Sequence, residues 1–225
     1  MRLLATKLLS PNFKTRLIQY GMSLVEYPLI QIDPLPQDYL SIQSNLIFTS
    51  QNAVKLAFKS SEIREQIQSQ NCFCVGEKTK LLLEENGQKV IKMHQNASDL
   101  AHFLVKNYKK ESFSFFCGKR RRPEIELFFK QNQIAIETHE LYDTSFTAKT
   151  FKNQFDGILF FSPSAVLSFF TKNTWPERSH GFCIGSSTAE TLRTYTSNYS
   201  QAVHPNENQL FLAIHQYYTQ HYAKK

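Results

Sequence analysis

The sequence predicts an α/β protein in which parallel sheets carry helices on both faces. Short apolar runs alternate with helical segments, each joined by a short loop. Several apolar runs end abruptly in hydroxyl residues, as buried parallel strands do where a helix begins. One arrangement occurs twice: L-I-F-T-S-Q-N-A-V (46–54) with C-V-G-E-K-T-K (74–80), and G-I-L-F-F-S-P-S-A-V (157–166) with C-I-G-S-S-T-A (183–189). This near-repeat predicts two such sheets.

The first section predicts a strand, a helix and a second strand. Arg2–Thr6 is a strand, and Asn12–Tyr20 is a helix that Gly21 terminates. Ser23–Ile32 is the second strand, and its Pro28 makes it an edge strand or a kinked one. The prolines of Asp33-Pro-Leu-Pro36 stiffen that segment, which we predict to be a linker.

The middle and last sections continue the alternation. Tyr142-Asp143-Thr144 is predicted to be a second crossover, so the chain leaves one domain near Pro34 and returns near Thr144. The predicted strands are 46–49, 72–75, 90–93, 112–117, 134–141 and those at Ile158 and Phe182. The predicted helices are 53–58, 78–85, 97–108, 124–131, 165–170, 188–195 and Glu207–Tyr222.

The composition is that of a globular protein with a basic surface. Of 225 residues, 41% are hydrophobic and 20% charged, which excludes a disordered chain. A net charge of +7 favours an anionic partner, although a generally basic surface explains it equally well. No apolar segment is long enough for a membrane helix, and the N-terminus lacks the apolar stretch of a signal peptide. Four cysteines without zinc spacing are expected to be reduced core residues: Cys72, Cys74, Cys117 and Cys183.

A basic run, Lys119-Arg120-Arg121-Arg122, precedes the helix that Pro123 begins. Cations there add to the positive end of the helix dipole, which attracts anions. The run is a solvated surface, a carboxylate or phosphate site, or a nucleic-acid patch. No stacking platform or reading helix for nucleic acid is visible in the sequence.

The hydroxyl residues that follow the predicted strands have two interpretations. They are N-caps, or they form a carboxylate-binding cradle at the carboxyl ends of the strands. The nucleotide motifs G-x-G-x-x-G and G-x-x-x-x-G-K-[ST] do not occur, and neither does G-x-S-x-G. The histidines lack metal-ligand spacing, so no metal site is expected.

The four quoted motifs, with Y-D-T at Tyr142 between the two pairs, resemble the uroporphyrinogen-III synthase family from Pro28 to the helix after Ala189. The resemblance implies two flavodoxin-like α/β domains, each a parallel sheet flanked by helices, joined by a two-stranded connection. One domain would combine residues 1–33 with 145–225, and the other would be residues 34–144.

The resemblance also implies a cytoplasmic lyase of tetrapyrrole (haem) biosynthesis that needs no metal or organic cofactor. Its substrate would be the linear, anionic tetrapyrrole hydroxymethylbilane. The enzyme would expel the terminal hydroxyl as water, invert ring D through a spiro intermediate and close the macrocycle. We expect a monomer with no nucleic-acid or membrane partner.

Family position makes Tyr142 the candidate proton donor to the leaving hydroxyl; the alternative is a packing residue at the hinge. The candidate substrate-binding residues are Thr6, Lys7, Ser50, Gln51, Asn52, Lys119, Arg120, Ser162, Ser164, Ser186, Ser187 and Thr188. Lys7 stands where the family often has arginine, and Gly185-Ser-Ser-Thr replaces the usual Gly-Pro-Thr-Thr. Two other hypotheses stay open: a non-catalytic ligand-binding or regulatory module of this fold, and a nucleic-acid-binding protein that uses the basic run.

Overall fold

The computed structural model describes residues 1–37 and 41–221. Strands and helices alternate through most of it. The strands are β1 (Arg2–Ala5), β2 (Ser23–Glu26), β3 (Ile30–Pro34), β4 (Asn45–Phe48), β5 (Asn71–Val75), β6 (Val90–His94), β7 (Ser112–Gly118), β8 (Ala135–Phe146), β9 (Gly157–Phe160), β10 (His180–Cys183) and β11 (Tyr199–Gln201). The helices are α1 (Pro11–Gln19), α2 (Gln51–Lys59), α3 (Ser61–Ile67), α4 (Glu77–Glu85), α5 (Ala97–Asn107), α6 (Glu124–Gln131), α7 (Pro163–Phe170), α8 (Ser186–Arg193) and α9 (Glu207–His221).

The chain divides into two compact units: Met1–Gln31 with Ser145–Lys225 form unit 1, and Ile32–Thr144 form unit 2. The chain therefore passes between the units twice. β3 and β8 cross the two boundaries, and they are neighbouring strands in one sheet. This pair of strands is the two-stranded connection that the family resemblance implied.

Unit 1 is a parallel sheet with the order β11-β10-β9-β1-β2 and a core on each face. Successive residues of β1 point to opposite faces. Leu3 and Ala5 pack with α1 and α9, whereas Leu4 packs with α7 and α8. Because both faces are buried, β9 and residues 3–5 of β1 are continuous apolar runs and not alternating ones.

Unit 2 has the sheet order β3-β8-β7-β4-β5-β6, in which the pairings from β8 to β6 are parallel. Leu46 and Phe48 of β4 lie in a core with α2, α3 and α4, and Ile47 between them faces α5 and α6. The predicted fold class, two parallel sheets with helices on both faces, is confirmed.

Several predicted element boundaries were wrong. Ser23–Ile32 is two strands in different sheets, separated at Pro28, which has no N–H to donate. The predicted linker begins inside β3. The strand predicted over 134–141 continues to Phe146, so the predicted crossover at Tyr142 lies within β8, and the unit boundary follows Thr144. Backbone hydrogen bonds from Leu35 to the Leu141 carbonyl and from Lys119 to the Tyr142 carbonyl keep β8 extended there.

Two elements were not predicted, namely α3 and β11. The helix α3 is mostly polar and starts where the Ser60 hydroxyl accepts the N–H of Ile63. The strand β11 is the short run Tyr-Ser-Gln, which pairs with β10 at the edge of the sheet. The predicted last helix extended to Tyr222, which lies outside the described residues.

The four cysteines are free and buried, as predicted. Burial raises the pKa of each thiol to about 12, so each behaves as a small apolar core residue. Within residues 1–37 and 41–221, none of the helices has the length and apolar character needed to cross a membrane.

Candidate active site

Three neighbouring strands of unit 1 end at the same edge of its sheet. β10, β9 and β1 are adjacent and parallel, so the segments that follow them lie side by side. The candidate residues of unit 1 all lie in these segments or in the first turns of α7 and α8: Thr6, Lys7, Ser162, Ser164, Ser186, Ser187 and Thr188. The fold therefore collects at one edge residues that are far apart in the chain.

Thr6 and Lys7 already have partners within unit 1. The buried Thr6 donates its hydroxyl to the Leu159 carbonyl at 2.8 Å, and the Thr6 backbone N–H donates to the same oxygen. Lys7 Nζ lies 3.0 Å from Glu207 Oε1 and 4.4 Å from the centroid of the Phe161 ring. Thr6 thus ties the end of β1 to β9, while Lys7 is a partly exposed, already paired cation.

The two helices that begin at this edge differ in their caps. Ser162 Oγ accepts the N–H of Ala165 at 3.1 Å, so α7 is capped by its own side chain. The residue before α8 is Gly185, which provides no side-chain cap. The first N–H groups of α8 are therefore available to an anion, beside the Ser186 and Ser187 side chains. Thr188 is buried in the helix–sheet contact.

Unit 2 repeats this pair of caps. β7, β4 and β5 are adjacent and parallel, and the candidate residues Ser50, Gln51, Asn52, Lys119 and Arg120 follow β4 and β7. Ser50 Oγ accepts the N–H of Asn52 at 3.1 Å and caps α2. The neighbouring α4 follows Gly76, which has a φ of 86° and provides no side-chain cap.

The glycines before α4 and α8 are site features that the candidate list omitted. A signal for them was present, because C-V-G-E-K-T and C-I-G-S-S-T place glycine at the same position of the near-repeat. In each unit a serine-capped helix therefore stands next to a glycine-capped one. A positive φ also restricts position 76 to glycine, since other residues rarely adopt that conformation.

Tyr142 lies on β8, beside β7, and its hydroxyl is 2.9 Å from Ser50 Oγ. Either hydroxyl can donate in this contact. Burial raises the pKa of Tyr142 above its ordinary value of 10.0, and hydrogen bonds with Ser50 and Asn52 only partly oppose that shift. The Tyr142 hydroxyl is consequently neutral near pH 7 and holds a proton that it can donate.

The basic run lies between β7 and α6, where carboxylates of unit 2 pair with its arginines: Arg120 with Asp143 (3.1 Å), Arg121 with Glu126 and Glu140, and Arg122 with Glu124 (3.7 Å). Arg121 is the least exposed of the three, with 22% of its side chain accessible. The run therefore has less uncompensated charge than the sequence suggests, which weakens the nucleic-acid interpretation. Arg121 is the member of the run that is paired with two carboxylates.

Two exposed apolar side chains also follow strands of unit 1. Leu8 follows β1 and is 68% exposed, and Val203 follows β11 and is 78% exposed. Neither was a candidate site residue, because a lone apolar residue in a loop gives no sequence signal for binding. Both follow strands at the carboxyl edge of the unit 1 sheet, where they expose apolar surface.

The fold and these strand ends define a class: a two-unit α/β protein in which each unit has a helix without a side-chain cap, and one unit has a half-buried neutral tyrosine. A family model described as uroporphyrinogen-III synthase HemD matches residues 12–211. The chain belongs to the uroporphyrinogen-III synthase family, which confirms the resemblance inferred from its motifs. Members of this family are cyclising lyases of porphyrin biosynthesis that act on a tetrapyrrole.

Solved structures of two bacterial proteins share the fold. Uroporphyrinogen-III synthetase from Helicobacter pylori matches with a TM-score of 0.70 and 17% identity, over 96% of this chain and 100% of that one. A mutant uroporphyrinogen III synthase from Thermus thermophilus matches with a TM-score of 0.68 and 12% identity, over 98% and 99%. The wild-type Thermus enzyme in a second crystal form gives 0.51 at 14% identity, over 96% of each chain. No curated protein sequence matches this chain significantly.

Proposed function

We propose that this protein is a uroporphyrinogen-III synthase, which converts hydroxymethylbilane to uroporphyrinogen III with inversion of ring D and loss of water. The observation that carries the proposal is the Tyr142 hydroxyl, which is neutral, half-buried and hydrogen-bonded to the Ser50 cap of α2. It lies at the strand ends of a chain that belongs to this family.

In the first step, the C–O bond of the terminal hydroxymethyl group breaks as the pyrrole nitrogen donates its electron pair. Tyr142 donates its proton to the leaving oxygen, which departs as water. The resulting cation forms a C–C bond to ring D, giving the spiro intermediate, which opens and recloses with ring D inverted. The proton lost when the pyrrole regains aromaticity returns to the tyrosinate, so the net products are the macrocycle and one water.

The substrate's acetate and propionate carboxylates require donors, and each unit contains a set of them. We assign carboxylate binding to the open N-termini of α4 and α8, helped by the side chains of Ser186 and Ser187. Lys119 and Arg120 add exposed positive charge.

We further propose a cytoplasmic monomer that acts without a metal, an organic cofactor, nucleic acid or a membrane partner. The electron-rich pyrrole itself expels the hydroxyl, so the proposed chemistry requires only a proton donor and positioning. No group of three or more His, Cys, Asp or Glu side chains in residues 1–37 and 41–221 is arranged to hold a metal ion.

The direct test incubates the purified protein with freshly generated hydroxymethylbilane, oxidises the product, and separates uroporphyrin isomers I and III. The expected result is a dominant type III peak, because spontaneous closure gives type I. Type I alone from a folded sample would overturn the proposal and favour a non-catalytic binding protein.

The role of Tyr142 is tested with Tyr142→Phe, which keeps the ring and removes the hydroxyl. We expect kcat to fall about 100-fold, the usual range for losing a general acid, with KM nearly unchanged. Tyr195→Phe, at an exposed tyrosine stacked on Phe170, is the matched control and should keep wild-type rates. An unchanged kcat for Tyr142→Phe would refute the proton-donor role.

A further inference from the structure

We propose that Gly118 positions the Tyr142 hydroxyl, because the tyrosine ring occupies the volume that any side chain at position 118 would fill. The chemical purpose of this placement rests on the proposed function. The placement itself is a property of unit 2 and can be measured without the reaction.

The Tyr142 ring leaves no room for a side chain at position 118. Gly118 is the last residue of β7 and is the register partner of Tyr142 on β8. A Cβ atom at Gly118 would lie 2.6 Å from Cε2 and Cζ of the tyrosine ring and 2.9 Å from its hydroxyl oxygen. Non-bonded carbon atoms pack about 3.5–4.0 Å apart, so no larger residue fits while the ring stays in place.

An irregularity in the strand pairing directs the ring to this position. Cys117 pairs with Glu140 and Gly118 pairs with Tyr142, so Leu141 is an extra residue on β8. A bulge of this kind re-aims the side chains that follow it. The Lys119 backbone N–H donates to the Tyr142 carbonyl at 2.8 Å and fixes the backbone just beyond the bulge.

The far end of the ring is held from a third strand. The Tyr142 hydroxyl lies 2.9 Å from Ser50 Oγ, at the end of β4. Because β8, β7 and β4 are neighbours, the ring lies across the end of β7 to reach the α2 cap. The lack of a side chain at Gly118 is what leaves this path open.

The expected displacement follows from these distances. With alanine at position 118, relaxing a 2.6 Å contact to about 3.6 Å moves the ring tip by about 1 Å. That shift breaks a 2.9 Å hydrogen bond to Ser50. A misplacement of about 1 Å can cost about 100-fold in rate. Gly118→Ala should therefore lower kcat almost as much as Tyr142→Phe does.

The experiment combines kinetics with a probe of the tyrosine that does not depend on activity. The full-length protein is labelled with [¹³Cζ]tyrosine, and the Tyr142 signal is assigned by its absence in Tyr142→Phe. Gly118→Ala should shift this signal and lower kcat about 10- to 100-fold, while adding no loss to Tyr142→Phe. Gly181→Ala is the matched control: its Cβ would lie 2.5 Å from Leu192 in unit 1, and it should leave the Tyr142 signal unmoved.

The free energy of unfolding provides a second measurement if Gly118→Ala proves too unstable for kinetics. Gly118→Ala should destabilise the wild-type chain but not the Tyr142→Ala variant, in which no ring is present to clash. An unmoved Tyr142 signal, or equal destabilisation in both backgrounds, would overturn the positioning role. If Tyr142→Phe keeps full activity while the signal shifts as expected, the proton-donor proposal fails and the positioning of the ring by Gly118 stands.

Discussion

Substitution of Arg121 tests which cations of the basic run stabilise the fold and which bind the substrate. Its guanidinium contacts Glu126 and, at 2.6 Å, Glu140, and the side chains of Arg121 and Glu126 are only 22% and 21% exposed. Arg121 contacts Oε1 of Glu126, and Oε2 of the same carboxylate is buried without a hydrogen-bond partner in the described structure. Arg121→Met would keep the apolar stem and leave these carboxylates uncompensated.

The loss in the free energy of unfolding expected for Arg121→Met lies between two known limits. Exposed ion pairs contribute about 0–1 kcal/mol, and removing one partner of a fully buried pair costs about 3–5 kcal/mol. At roughly one-fifth exposure we expect a loss of about 2 kcal/mol in the free energy of unfolding, or about 8 °C in the Tm of unit 2. KM should change little, because this guanidinium does not meet the substrate.

The assay is thermal and urea unfolding followed by circular dichroism, together with steady-state kinetics. The single tryptophan, Trp175, lies in unit 1, so its fluorescence reports separately on that unit. Arg120→Met is the comparison: its side chain is 50% exposed, so it should lose less than about 1 kcal/mol yet raise KM several-fold. A stable Arg121→Met with a raised KM would refute the assignment of Arg121 to structure.

Three further predictions concern other parts of the fold. Glu26 accepts hydrogen bonds from Lys14 and from the Leu9 N–H, which lower the pKa of its carboxyl below 4.5. Its contribution is therefore fully present above pH 4.5 and is lost as the pH falls through the folded pKa. Glu26→Gln should cost about 1–2 kcal/mol in urea unfolding at about pH 7 and less as the pH is lowered, whereas a cost that does not fall with pH would contradict this. The four buried thiols, with pKa values of about 12, should resist Ellman's reagent at about pH 8 until urea is added; labelling of the folded protein would show that they are accessible. Gly185→Asp places a carboxylate at the open end of α8, where a Cβ meets only Pro205 at 3.5 Å, so stability should hold while KM rises about tenfold. Gly185→Ser, a neutral cap, should raise KM less, and an unchanged KM for Gly185→Asp would remove α8 from the binding site.

Much of the fold was predictable because its signals are local. A strand buried on both faces must be a short apolar run, and a helix that starts at its end favours a hydroxyl cap, as at Ser50 and Ser162. Because this arrangement occurs twice in the chain, two sheets and the family resemblance were visible in the sequence. The boundaries of β2, β3 and β11 were not visible in the sequence, because pairing with other strands of the sheet sets them.

The candidate site was predicted only in part. Residues that follow strands could be listed from the sequence, because the carboxyl ends of parallel strands meet at one edge. The sequence could not show which of these residues already have a hydrogen-bond partner in the fold. Thr6 bonds to Leu159 and Lys7 bonds to Glu207, and these partners lie about 150 and 200 residues away along the chain. The glycine caps before α4 and α8 became recognisable as a pair only when both helices were seen to lack a side-chain cap.

By itself, the sequence determined the α/β class, the doubled arrangement of strand ends, the family and the identity of Tyr142 as the candidate donor. The first three properties depend on residue type and local spacing, and the candidate role of Tyr142 followed from the family resemblance. The tertiary structure alone decided that Arg121 is neutralised by Glu126 and Glu140, and that the Tyr142 ring lies over Gly118 with its hydroxyl at Ser50. Charge pairing and ring placement depend on distances between residues that the chain brings together from separate strands, and the order of those strands is not encoded in any local pattern.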